Sequence, residues 1–155
     1  MEKIPAKLHR AGTRRSYAHK EGGGRTPVTV ISAARRPERN DKLAIWLYAQ
    51  REDDLFLSVI SIGEIARGTR QQEKPNPDFA ADLRDWLNRT ETLFQDRILP
   101  FTSRDAQIWG VLSADIGHAG ADLMIAATAL SHQATVVTRN VADFEPTGAD
   151  VLNPF

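Results

Sequence analysis

The sequence predicts an α/β domain, a mainly parallel sheet with helices on both faces, and three observations lead there. Short runs of β-branched or apolar residues recur along the chain, among them Val28-Thr29-Val30-Ile31 and Ala134-Thr135-Val136-Val137-Thr138. Segments with helical spacing of apolar residues lie between them. Strand and helix alternate instead of segregating, which is the order that crossover connections build into a parallel sheet. A length of 155 residues suits a single domain.

Taken in order, Val28 to Ile31 reads as a strand, and Asp41 to Gln50 as a helix with Leu43, Trp46 and Leu47 on one face. Leu55 to Ile60 is a near-continuous apolar run, as expected of a strand covered on both faces. Ser61-Ile62-Gly63-Glu64 opens a helix that fades by Gln72, and Pro75-Asn76-Pro77 breaks the chain. Asp78 to Asp96 carries the clearest amphipathic pattern, through Phe79, Leu83, Trp86, Leu87, Thr90 and Leu93. Ile98 to Phe101 is a short strand or extended link. Ser103 can cap the next helix, with Ile108, Val111 and Leu112 facing inward. Gly117 and Gly120 bound a break before an alanine-rich helix from Ala121 to Ser131. Ala134 to Thr138 is a strand, Arg139 to Phe144 a turn and short helix, and Asp150-Val151-Leu152 a last strand or extended tail.

Composition removes several chemistries. With no cysteine there is no disulfide, thiolate metal site or cysteine nucleophile. No apolar run approaches the roughly 18 residues of a membrane span, and the polar start Met1-Glu2-Lys3-Ile4-Pro5 shows no signal peptide. The cytoplasm is therefore the default compartment, with no membrane partner. Twenty basic and twenty acidic residues cancel overall, yet residues 1–25 carry a net +5 and the other 130 a net −5. The first segment also holds four of the ten glycines and few large apolar side chains. It reads as a disordered basic arm, because it cannot bury enough surface to offset its ordering entropy. Residues 26–155 form the expected domain.

In an open parallel sheet, ligands bind beyond the carboxyl ends of the strands, and three acids fall where the chain leaves a strand or enters a helix. Glu64 follows the second strand, Asp122 lies in the first turn of the alanine-rich helix, and Asp143 follows the strand ending at Thr138, with Asn140 between. Carboxylates gathered at one edge repel unless a cation neutralises them. Hard ions such as Mg²⁺ or Mn²⁺ favour oxygen donors and can promote phosphodiester cleavage. Each acid also has an ordinary structural reading. Ser61-x-x-Glu64 matches a capping box, Asp122 complements the helix dipole, and Asn140-x-x-Asp143 can be a cap. Spacing leaves both readings open.

Other chemistry is thinner. His9, His19, His118 and His132 are scattered without metal-ligand spacing and read as surface or helix-end residues. Gly22-Gly23-Gly24 has neither a preceding strand nor the following Gly-Lys-Ser/Thr of a phosphate loop. Trp46, Trp86 and Trp109 sit on apolar helix faces.

Several segments together resemble PIN-domain toxins of type II toxin–antitoxin systems, the VapC type and its FitB-like branch. They are Leu55-Phe56-Leu57-Ser58-Val59-Ile60-Ser61-Ile62-Gly63-Glu64-Ile65-Ala66-Arg67-Gly68, Asp96-Arg97-Ile98-Leu99-Pro100-Phe101, Ala121-Asp122-Leu123-Met124-Ile125-Ala126-Ala127-Thr128-Ala129-Leu130 and Val136-Val137-Thr138-Arg139-Asn140-Val141-Ala142-Asp143-Phe144. The resemblance covers roughly residues 35 to 155. It implies a three-layer α/β/α domain whose carboxylates hold Mg²⁺ or Mn²⁺ and hydrolyse RNA. It also implies a cognate antitoxin and a homodimer. On this resemblance Glu64, Asp122 and Asp143 match metal-binding acids, and Thr138 and Asn140 match the polar residues that arrange the site.

One departure bears on the chemistry. The family opens with an apolar strand running into Leu-Asp-Thr-Asn, whose aspartate is a principal metal ligand. Here Pro27 stands in place of that aspartate, Thr29 in place of the asparagine, and Ala33 in place of a further acid. The resemblance makes 30–36 helical, whereas local propensity makes 28–31 a strand that takes over the lost central position. Two functions follow as expectations: a metal-dependent endoribonuclease toxin, or a catalytically impaired relic that still dimerises and binds an antitoxin. Residues 1 to about 29 are then expected to replace a true toxin start, through a frameshift or a misassigned initiation site.

Overall fold

Thr29, Val30 and Ile31 form β1 (Thr29–Ile31), and in the computed structural model this short β-branched segment is the middle strand of a five-stranded sheet. The structure describes residues 29–31 and 41–155. The basic arm expected over 1–25, Pro27 and Ala33, and the side chain of Leu43 lie outside the described residues.

The remaining elements follow in chain order as α1 (Asp41–Ala49), β2 (Leu55–Ser58), α2 (Val59–Gln72), α3 (Pro77–Leu93), β3 (Ile98–Leu99), α4 (Ser103–Ile116), α5 (Ala121–His132), β4 (Thr135–Val137), α6 (Val141–Phe144) and β5 (Asp150–Leu152). The strand order is β3-β2-β1-β4-β5 and every pairing is parallel. β1 pairs with both neighbours in one register, Val30 opposite Phe56 and Val136, Ile31 opposite Leu57 and Val137.

Alternation along the strands sorts side chains onto two faces. Val30 and Val136 join Leu99, Ile125, Ala126, Ala129, Ala134 and Phe144 in one buried cluster, so α5 and α6 cover that face. Ile31, Leu55 and Leu57 join Phe94 in the other, with Trp46, Leu47 and Leu93 against them, so α1 and the end of α3 cover the opposite face. This is the three-layer α/β/α arrangement. The alanines of α5 let it lie close on the sheet, and Ala126, Ala127 and Ala129 are fully buried.

Several boundaries correct the sequence reading. The apolar run from Leu55 changes from strand to helix at Val59, because the Ser58 hydroxyl accepts the Ile60 amide at 3.1 Å and caps α2 there. Ser61 is thus inside the helix, not its cap, and Ser61-x-x-Glu64 is no capping box. α4 is capped by Thr102 instead of Ser103, in a reciprocal box with Asp105. Val111, expected to face inward, is exposed, while Ile108 and Leu112 are half-buried. α3 ends at Leu93, before Asp96.

α5 ends at Gln133, whose φ of 53° is left-handed while its amide closes onto the Ala129 and Leu130 carbonyls. A side chain is strained in that region and glycine is not. Gln133→Gly is therefore expected to stabilise the domain by roughly 0.5–1 kcal/mol, read as a higher urea midpoint with an unchanged m-value.

Candidate active site at the carboxyl edge of the sheet

The sheet order creates a switch point. From β1 the chain moves outward through β2 to β3, then returns across the sheet to build β4 and β5 on the other side. Connections leave β1 and β4 in opposite directions, and the crevice beyond their carboxyl ends is where such folds bind ligands. β1 reaches that edge at Ile31, and β4 reaches it at Val137.

Four of the five expected site residues meet there. Thr138 continues directly from β4, is 3% exposed, and donates its amide to the Leu152 carbonyl at 3.0 Å. Its hydroxyl accepts the Asn140 amide at 3.0 Å, which fixes the turn. The Asn140 side-chain amide donates to Asp143 Oδ2. Asn140 therefore orients Asp143; its side chain accepts no amide of α6, so the capping reading of Asn140-x-x-Asp143 does not hold. Asp122 arrives from the other direction. α5 runs back towards the start of β4, so its first turn, which carries Asp122, lies at the carboxyl edge.

Asp122 and Asp143 are in side-chain hydrogen-bond contact, and the pKa of Asp122 is raised above its ordinary value of 3.8. Partial burial is the largest cause, followed by the Asp143 charge, the hydrogen bond to Asp143 and the Glu64 charge; His118 acts in the opposite direction. Two carboxylates in contact must share a proton or a cation.

Glu64 stands on the exposed side of α2, 3.7 Å from Arg67, and reaches Asp122 through its field. Among the described residues no three His, Asp or Glu side chains form a ready cage for an ion. The donor set nonetheless suits a hard cation, being an all-oxygen aspartate pair in contact, with a third carboxylate within reach of its field.

His118, which the sequence reads as a surface or helix-end residue, follows the end of α4 as expected. Its Nδ1 accepts the Gly120 amide at 3.3 Å in the loop that delivers Asp122, and it is exposed.

The comparisons with known proteins agree with this fold. The family model described as PIN domain matches residues 29–146. The chain is 34% identical over 137 residues to Toxin FitB of Neisseria gonorrhoeae, across 83% of this chain and 95% of that protein. It is 28% identical over 145 residues to VapC ribonuclease Y4jK of Sinorhizobium fredii, across 83% and 94%. The crystal structure of FitAcB from Neisseria gonorrhoeae superposes with a TM-score of 0.68 at 30% identity, covering 82% of this chain and 98% of that one. The matched span contains the central strand, the switch point and all three acids, and the chain belongs to the PIN-domain family, in the branch that includes the toxin FitB.

Proposed function

We propose that the protein is a divalent-metal-dependent endoribonuclease, the toxin of a toxin–antitoxin pair, with Glu64, Asp122 and Asp143 as its metal-binding acids. The observation that carries this reading is the contact between Asp122 and Asp143 at the switch point, within the field of Glu64. When bound, Mg²⁺ or Mn²⁺ supplies the positive charge that a phosphodiester oxygen and an attacking water need. The chain's own residues supply placement. Asn140 turns Asp143 towards Asp122, Thr138 holds the Asn140 turn, and the start of α5 presents Asp122. RNA as substrate is supported by the ribonuclease name of the Sinorhizobium relative. A cognate antitoxin as partner is supported by the FitAcB likeness, and a homodimer and cytoplasmic action belong to the same reading. Among the described residues no helix is long and apolar enough to cross a membrane.

A second reading rests on one observation. Residues 22–37, which lead into and out of β1, contain no carboxylate, so the strand end that carries the family's leading aspartate lacks it. In that reading the protein is a catalytically impaired module that still binds its antitoxin.

Calorimetric titration of Mn²⁺ combined with cleavage of a structured RNA separates the two. The enzyme reading expects saturable Mn²⁺ binding, and expects Glu64→Gln to lower both affinity and cleavage by at least about tenfold, the lower end of what losing support around a metal costs. Neither binding nor cleavage by the wild type would leave the impaired module.

A further inference from the structure

We propose that Phe155 is a positioning residue: it holds Arg139 at the rim of the carboxylate site as an arm for an RNA phosphate. The inference rests on the ribonuclease reading for its choice of ligand and deepens it by naming how a polyanion is held beside an acidic site.

The placement of Phe155 is built step by step. β5 pairs with β4 so that Leu152 lies opposite Val137, and the bond from the Thr138 amide to the Leu152 carbonyl carries the ladder one residue further. The chain therefore leaves β5 at the same edge as the acids. There the Asn153 side-chain oxygen accepts the Phe155 amide at 3.0 Å, closing a turn around Pro154. Proline fixes its own φ, and the asparagine oxygen fixes the backbone two residues on. The ring that emerges lies against the Arg139 guanidinium, with Cζ 5.0 Å from its centroid.

Arg139 itself sits between Thr138 and Asn140, the two residues that organise Asp143. It is exposed, and among the described residues no carboxylate pairs with it. Arg67, whose partner Glu64 is one of the acids, has its charge paired. The difference matters because a carboxylate partner cancels an arginine's charge, whereas an aromatic face holds the planar group and leaves its charge and its N–H edge available. A phosphate accepts two parallel N–H bonds from that edge. Where the rest of the domain is net negative, a cation placed against an aromatic face beside the acids, with no carboxylate paired to it among the described residues, is what an RNA backbone needs.

The test reads binding apart from cleavage. A short fluorescein-labelled RNA hairpin is titrated by fluorescence anisotropy in EDTA, across a salt series, with the wild type, Arg139→Ala, Phe155→Ala, Phe155→Trp and the double alanine variant. Arg139→Ala is expected to weaken binding and flatten the log–log salt slope by about 0.7–0.9, one phosphate's worth. Phe155→Ala is expected to weaken binding about two- to fivefold, the size of an exposed cation–π contact, while Phe155→Trp restores it. The double variant should bind no more weakly than Arg139→Ala alone. With Mn²⁺ present, Phe155→Ala should raise KM and leave kcat unchanged. The proposal is overturned if Phe155→Ala binds like the wild type, if its effect persists in the Arg139→Ala background, or if the wild type shows no salt-dependent binding. Binding with the expected pattern but no cleavage would remove the ribonuclease reading and leave the arm in place.

Discussion

Asp122→Asn is expected to abolish metal-dependent RNA cleavage and, in the same molecule, to raise the melting temperature of the metal-free protein. The two effects have one origin. Asp122 is partly desolvated, touches Asp143 and feels Glu64, and each of these opposes its ionised form. Without a cation the folded chain keeps this carboxyl protonated to higher pH than the unfolded chain does. The folded state then binds the proton more tightly, so this group's contribution to stability is fully present below about pH 3.9, the unfolded carboxyl pKa. It is lost as pH rises from there through the raised folded value. Asparagine removes the charge and can still donate a hydrogen bond to Asp143, so the variant should lose that pH dependence. On the proposed function, the same substitution removes an oxygen that would bind the metal. Because losing outer support of a metal site costs about ten- to a hundredfold, losing Asp122 should cost at least about a hundredfold in cleavage. Calorimetric melting in EDTA from acid to neutral pH, repeated with Mn²⁺, checks both halves. Mn²⁺ should raise the wild-type melting temperature at neutral pH more than that of Asp122→Asn. An asparagine variant that is less stable than the wild type at neutral pH without metal would contradict the repulsion on which the site is argued.

Much of that site can be read in the residues, for a physical reason. A parallel sheet sends every strand's carboxyl end to one edge, so the acids after β2 and β4, and the acid opening the helix that returns to β4, are directed to that edge by connectivity alone. That directs Asp122 and Asp143 to one place without side-chain detail, while Glu64, in the second turn of α2, acts on Asp122 through its charge alone. The strand at 29–31 was legible too, since Thr-Val-Ile is β-branched throughout and its local preference prevails over the helix that family likeness suggested there. What could not be read depends on decisions within a single turn. Ser58 and Ser61 are both plausible caps in the same apolar run, and only the strand register, with Ser58 opposite Leu99, decides that the helix starts at Val59. Thr102 and Ser103 differ by one position, and the choice falls on the residue whose partner three places on is Asp105. The contact of Phe155 with Arg139 joins two ends of a β-ladder, which no periodicity reports. Val111 was misplaced because α4 buries only a narrow stripe against α5, and an apolar residue beside that stripe looks the same in sequence.

Asp105→Ala is expected to be among the most destabilising single substitutions in the domain. Asp105 is 0% exposed, yet it is a carboxylate. Burying a charge is unfavourable unless hydrogen bonds replace its water, and here they do. Oδ2 accepts the Thr102 amide at 2.7 Å, and Oδ1 accepts the Ser131 hydroxyl from the last turn of α5. The positive end of the α4 dipole adds to this. One side chain thus caps α4 and clasps it to the end of α5, the helix whose first turn carries Asp122. Alanine would leave the Thr102 amide without its partner and a hole at the helix seam. The Ser131 hydroxyl still has the Thr128 carbonyl at 3.0 Å, which limits the loss. A cost of about 2–3 kcal/mol is expected, or a fall of roughly 10 °C in melting temperature for a domain of this size. Asp105→Asn keeps an oxygen for the Thr102 amide and offers its own amide to Ser131, so it should cost about 1 kcal/mol. Cleavage per folded molecule at low temperature should stay near that of the wild type in both variants, because Ser131 lies about 14 Å along α5 from Asp122. Equal losses from alanine and asparagine, measured by urea denaturation, would show that the charge beside the helix terminus, not the pair of hydrogen bonds, holds the two helices together.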